Sequence, residues 1–202
     1  MAERALTATP ISDDALDTIF RNARTYRYWQ DKPVSPALLM AIYDLMRLGP
    51  TSGNCCPARI VFVVSHEAKE RLKPHLDESN VGKTMSAPAT AIIGFDLDFA
   101  DKFPTLYPQD PDAKNAYQDP VLAERVAFRN GSIQGGYFII AARALGLDCG
   151  PMSGFDNAGV DREFFADSRV RSNFLCNIGF GDPSHLHPRN PRLSFEEACR
   201  IV

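Results

Sequence analysis

Between Val121 and Leu145 the chain runs for 25 residues without a proline. Ile133, Tyr137, Ile140 and Ala144 fall on one face of a helix drawn through it. At 1.5 Å per residue such a helix is about 37 Å long, the width of a whole domain. The pattern predicts a central helix around which the remainder is arranged. Gly131, Gly135 and Gly136 lie inside it, and each costs about 1 kcal/mol against Ala in a helix. Close approach of another backbone or a ligand offsets that cost, and the expected contact is helix against helix across a dimer. Gly146 ends the pattern. Directly beyond comes Asp148-Cys-Gly-Pro-Met-Ser-Gly154. A run so dense in Gly and Pro suits main chain that must approach a flat ligand closely.

The 202 residues are enough for one domain that buries roughly 70% of its unfolded surface. Residues 1–202 are read as that domain, with residues 1–11 as an N-terminal arm. A net charge of −3 argues against generic nucleic-acid binding, which needs a basic face, but leaves room for a local anion site. No apolar run reaches the roughly 18 residues of a membrane span. The start, Met-Ala-Glu-Arg-Ala-Leu, lacks the basic and apolar sections of a signal peptide. Five cysteines without regular spacing point to a reducing compartment, and a cytoplasmic location is expected. Adjacent Cys55 and Cys56 read as small loop-lining residues, because neighbouring cysteines seldom bridge without strain.

Along the chain, Ser12 starts a helix striped by Leu16, Ile19 and Phe20, and 25–34 reads as loop. Ser35-Pro36 opens a helix through Met46 that Gly49-Pro50 closes. Arg59–Val64 and Ala89–Phe95 read as buried strands, with a helix from Ser65 to His75 and a short one over Val81–Ser86 between them. Residues 97–119, rich in Asp, Pro and aromatics, are expected as a loop or short helices capping a site. After the long helix come a short helix over Asp161–Ala166, a third strand over Ser172–Phe180 and an extended basic stretch over 186–191. Ser194 caps a last short helix. Few strands separated by helices indicate an α+β or α/β fold.

Conventional sites are missing. Gly179-Phe-Gly181 runs into Asp-Pro, so no dinucleotide fingerprint forms. His185 and His187 lack the further ligands a metal needs. Four segments cohere instead. Arg24-Thr25-Tyr-Arg27 follows a helix and offers guanidinium forks and a hydroxyl suited to a phosphate. Pro50-Thr51-Ser52-Gly-Asn54 lies between a helix and a strand and can bond a ring edge. Asn80 and Lys83 share one helical face. Pro188-Arg189-Asn-Pro-Arg192 is basic and extended.

These segments resemble, in order and separation, the motifs of the nitroreductase family. Arg24 to Trp29 resembles its Arg-Ser-x-Arg-x-Phe, with Thr for Ser and Trp for Phe. Residues 50–58 resemble Pro-Ser-Ser-x-Asn-x-Gln-Pro-Trp and depart from it at Cys56 and Ala58. The 151–154 run is similar to the segment that lies against the flavin ring of FMN. Within the family, Gly49–Cys55, Pro151–Asp156 and Pro191–Ala198 are closest to the malonic semialdehyde reductases of bacterial uracil catabolism. Ser153 stands where many members carry Glu.

The resemblance implies a three-layer sandwich, α+β, with a central mixed sheet flanked by helices and a long central helix. It implies a homodimer with FMN at the subunit interface and NADH or NADPH as co-substrate. Hydride passes from the nicotinamide to flavin N5 and then to the acceptor, by ping-pong kinetics. Arg24, Thr25, Arg189 and Arg192 are assigned to the phosphate. Arg27 and Lys83 are candidates for positive charge at the pyrimidine edge, although Arg27 could serve the phosphate. Asn80 faces the polar edge, the backbone of Pro151, Met152, Ser153 and Gly154 lies near N5, and Pro50, Thr51, Ser52 and Asn54 bond the ring. A small aldehyde, malonic semialdehyde, is the expected acceptor and 3-hydroxypropionate the product; the cation for its carboxylate stays open between Arg129 and the partner chain. A broad nitro- or quinone reductase is the alternative, and a non-catalytic flavin-binding protein is the alternative of another class.

Overall fold

The computed structural model describes residues 9–202; most of the expected N-terminal arm, residues 1–8, lies outside the described residues. Ser12 caps α1 (Asp13–Leu16) through the Ala15 amide, and the chain continues as a π-helical turn over Asp17–Arg21. Ser35 caps α2 (Pro36–Met46), with proline at its first position. β1 (Ala58–Val63) leads to α3 (His66–Leu72), capped by Ser65, then α4 (Glu78–Ser86) and β2 (Ala89–Asp96). α5 (Phe103–Leu106) lies between two 3-10 turns. The long helix is α6 (Pro120–Ala144). β3 (Asp148–Met152), α7 (Asn157–Phe164), β4 (Val170–Gly179) and α8 (Phe195–Ala198) follow. α7 begins four residues before its expected start, because Asp156 sits at its N-cap.

The strands form one sheet in the order β1-β2-β4-β3, each pair antiparallel. The expected mixed sheet is corrected accordingly. α3 and α4 bring the chain back to the end where β1 finished, so Thr90 lies opposite Val63 and β2 runs in reverse. Among the described residues the one parallel contact is an isolated bridge between Thr25 and Cys149. β3 is a strand where only a ligand-facing turn was expected. Gly150 and Pro151 suppress the strand signal, yet an edge position tolerates proline.

Alternate residues of β2 and β4 face two cores. Ala89, Ala91, Ile93, Cys176 and Ile178 join α2 and α6 on one side. Ile92 and Leu175 join Leu72, Val160 and Phe165, under α3 and α7, on the other. Both faces are covered, which explains the near-continuous burial of β2. A bulge at Ile93/Gly94 leaves Asn173 outside the register, and its amide bonds the Ser132 hydroxyl on α6 at 2.9 Å.

Two of the three glycines of α6 do different work from that expected. A Cβ at Gly135 would come within 2.5 Å of the Phe174 ring, and one at Gly131 within 3.0 Å of the Phe95 Cβ. Both let α6 settle on the sheet of its own chain. Gly136 faces open space. The 99–117 region packs as an aromatic cluster on the start of α6, with Phe99 and Tyr117 edge to face at 5.1 Å, and covers Cys55.

Candidate functional site

The segment after the π-helical turn lies along the free edge of β3. The Tyr26 amide donates to the Cys149 carbonyl at 3.1 Å, and Gln30 and Asp182 exchange with Phe180 and Tyr28 at 2.8 and 2.9 Å. The stretch after β4 then folds back across it. Arg189 Nη2 donates to the carbonyls of Arg21 (2.7 Å) and Ala23 (2.9 Å), and Arg24 Nη2 donates to the carbonyl of His187. Between the two stretches lies a basin of about 490 Å³. The structure brings Arg24, Thr25, Arg189 and Arg192 together there, with Arg27 lining the same basin.

Arg143, from the last turn of α6, is a further cation on the basin wall. Among the described residues none of these five arginines is in an ion pair. The acid lining the basin is Asp182, whose carboxylate is held below its ordinary range by the Ser184 backbone and hydroxyl. The Arg143 Nε is buried without a partner in the protein. Guanidinium groups in no ion pair and an unmatched buried donor fit a phosphate monoester, which brings close to two negative charges and several acceptor oxygens.

Beside the basin, Asn80 and Lys83 stand one turn apart on α4, as expected. Their polar atoms are engaged within the chain. Asn80 Nδ2 donates to the Gly154 carbonyl at 2.7 Å, and Lys83 Nζ donates to Asn80 Oδ1. Burial, and then the Arg27 charge, hold the Lys83 ammonium below the ordinary lysine value. The Asp77 amide also donates to the Gly154 carbonyl, at 3.1 Å, so α4 clamps the end of β3. The Thr84 hydroxyl donates to the Met152 sulfur at 3.7 Å. Pro151 is half-buried and Ser153 is exposed. The glycines here answer to the chain's own packing. A Cβ on Gly150 would meet the Tyr26 carbonyl at 2.5 Å, and one on Gly154 would meet Asp77 at 2.5 Å.

Pro50, Thr51, Ser52 and Asn54 are not gathered with the others. Their loop leads into β1, at the opposite edge of the sheet from β3. Three strand spacings, about 14 Å, separate those edges. The Ser52 amide bonds Asn130 at 2.9 Å, Asn54 Nδ2 bonds the Leu106 carbonyl at 2.8 Å, and Thr51 Oγ1 accepts from the Cys56 amide at 3.1 Å. Asn54 and Cys56 hold positive φ of 50° and 39°, unusual for residues with side chains.

Arg143 is the residue that reading the sequence missed. It belongs to no local motif, and only tertiary packing places it beside Arg24. Arg129 lies on the exposed side of α6. Among the described residues, no helix is long and apolar enough to cross a membrane and no group of three His, Cys, Asp or Glu could hold a metal.

An antiparallel sheet between two helical layers defines an α+β fold that solved nitroreductase structures share. The chain superposes with a TM-score of 0.84 on a protein of Exiguobacterium sibiricum 255-15 described as a "putative nitroreductase in complex with FMN", at 18% identity, covering 96% of this chain and 100% of that one. The chain belongs to the nitroreductase family, whose model matches residues 20–181. It is 58% identical over 189 residues to a protein of Stenotrophomonas maltophilia (strain K279a), covering 93% of this chain and 96% of that protein. It is 56% identical over 188 residues to one of Caulobacter sp. (strain K31), with the same coverage. Both relatives bear the name "Putative NADH dehydrogenase/NAD(P)H nitroreductase".

Proposed function

We propose that this chain is an FMN-dependent NAD(P)H oxidoreductase, with residues 1–202 as one cofactor-binding domain that works as a homodimer. The observation that carries the reading is the basin of five arginines free of carboxylate partners. Arg24, Thr25, Arg189 and Arg192 hold the phosphate. Arg27 and Lys83 supply positive charge where the cofactor gains electron density on reduction. Asn80 fixes the Gly154 carbonyl, and the main chain of 151–154 lies against the ring. When bound, FMN supplies hydride exchange between the nicotinamide and the acceptor.

Pro50, Thr51, Ser52 and Asn54 contribute from the second subunit in this reading, since the sheet separates them from their own chain's basin. An apolar face supports the dimer. Met40 and Leu48 on and just beyond α2 are 67% and 76% exposed, and Ile133 and Tyr137 on adjoining α6 are exposed as well. A groove of about 700 Å³ lined by Met40, Tyr43 and Phe62 runs on from it along β1.

The acceptor is a small electron-poor carbonyl compound, malonic semialdehyde, reduced to 3-hydroxypropionate. A broad nitro- or quinone reductase is the second reading, and the relatives' names, which include NAD(P)H nitroreductase, favour its nitro-reducing form. The visible spectrum of FMN-reconstituted protein under anaerobic NADPH, then NADH, is the first test. Bleaching is expected, and a bound flavin that neither nicotinamide bleaches overturns the enzyme in favour of a flavin-binding protein. Steady-state kcat/KM for the semialdehyde against a nitroaromatic and a quinone then assigns the acceptor. Arg24→Ala is expected to weaken FMN binding; unchanged affinity removes Arg24 from the phosphate site.

A further inference from the structure

Arg143 is held in an unusual way. Nη1 donates to the Ile19 carbonyl at 3.1 Å, while Nε is buried without an acceptor. The neighbouring carboxylate, Asp148, takes the Gly181 amide at 2.8 Å, and the charge of Arg143 reaches it without an ion pair forming. A buried donor left unmatched costs about 1–3 kcal/mol, so such a group asks for an explanation.

The other arginines of the basin differ. Arg24 and Arg189 spend N–H groups on carbonyls of the opposing stretch, and Arg192 spends one on Asn190 and Pro191. Those bonds build the basin walls. Arg143 comes instead from a rigid helix, near the end where the helix dipole favours a cation, with most of its donor fork unspent. A cation fixed before its ligand arrives needs little reorganisation to bind it.

We propose that Arg143 is a phosphate-recognising residue of this basin and sets its preference for phosphorylated over unphosphorylated flavin. The inference rests on the FMN reading above. Its test compares FMN and riboflavin affinities, by quenching of flavin fluorescence, in wild type, Arg143→Met and Arg143→Lys, together with the melting temperature of each cofactor-free protein. Arg143→Met is expected to lose about tenfold or more in FMN affinity, the value of one charge-assisted hydrogen bond, with riboflavin affinity unchanged. Its cofactor-free melting temperature is expected to change little, because removal of the unmatched Nε offsets loss of the bond to the Ile19 carbonyl. Arg143→Lys retains the charge without the fork and is expected to lie between, which also serves if the Met variant does not fold. Two results overturn the role of Arg143 alone: a wild-type preference for FMN that survives in both variants, or equal weakening of both flavins with a lower melting temperature. Wild-type protein that binds FMN no better than riboflavin overturns the phosphate basin itself.

Discussion

Lys83 couples to fold stability and to anion binding with opposite signs. Burial and the nearby Arg27 depress its pKa, so the folded protein releases this proton at a pH where the unfolded chain still holds it. By linkage the cofactor-free fold gains stability from this group as pH rises through the depressed value toward the ordinary 10.5. Anion binding has the opposite slope, because it draws on the charge being lost. FMN affinity is therefore expected to begin falling below pH 10.5 while the cofactor-free melting temperature holds or rises from this source. Titrations of both quantities check it, and Lys83→Arg, charged throughout, should flatten the affinity curve. At this scale the sequence was readable where chemistry is local. Arg24, Thr25 and Arg27 lie within four residues, and Asn80 and Lys83 within one helical turn. Arg143 escaped because what makes it unusual is a missing partner, which only the folded chain reveals.

The element scale separates what periodicity encodes from what it does not. The long helix, its Gly146 stop and its neighbouring buried strands were legible because burial imposes a period on the residues that face a core. β3 was not, since an edge strand with Gly150 and Pro151 has neither the composition nor the two-sided burial that mark a strand. Gly131 and Gly135 were legible as close approaches but not as to what approaches. The same substitution should consequently have opposite signs at two helical sites. Gly82 on α4 faces open space, so Gly82→Ala is expected to stabilise by about 1 kcal/mol through helix propensity. At Gly135 the new methyl meets the Phe174 ring, and Gly135→Ala is expected to cost about 1–3 kcal/mol through overpacking. Urea denaturation of the two variants decides both, with a gain at Gly135 refuting the packing account.

For the whole molecule, the two sheet edges carry separate parts of the proposed site, a division that no motif spacing disclosed. If the parts meet between subunits, then an alteration on the apolar face should empty a basin it does not touch. Met40→Glu is expected to shift sedimentation toward monomer and to weaken FMN retention, with the far-UV circular dichroism unchanged; monomer that retains FMN fully would separate cofactor binding from assembly. The carbonyl clasps of Arg24 and Arg189 reach still further. They join residues 163, 166 and 168 positions apart in the chain. A nascent polypeptide that has emerged through β4 already possesses every strand of its sheet, but has only one bank of the basin until the residues around His187 and Arg189 have left the ribosome. Assembly of the basin therefore waits on residues that follow the last strand, and a chain cut after β4 can take up the sheet of this protein without completing the site proposed for the cofactor.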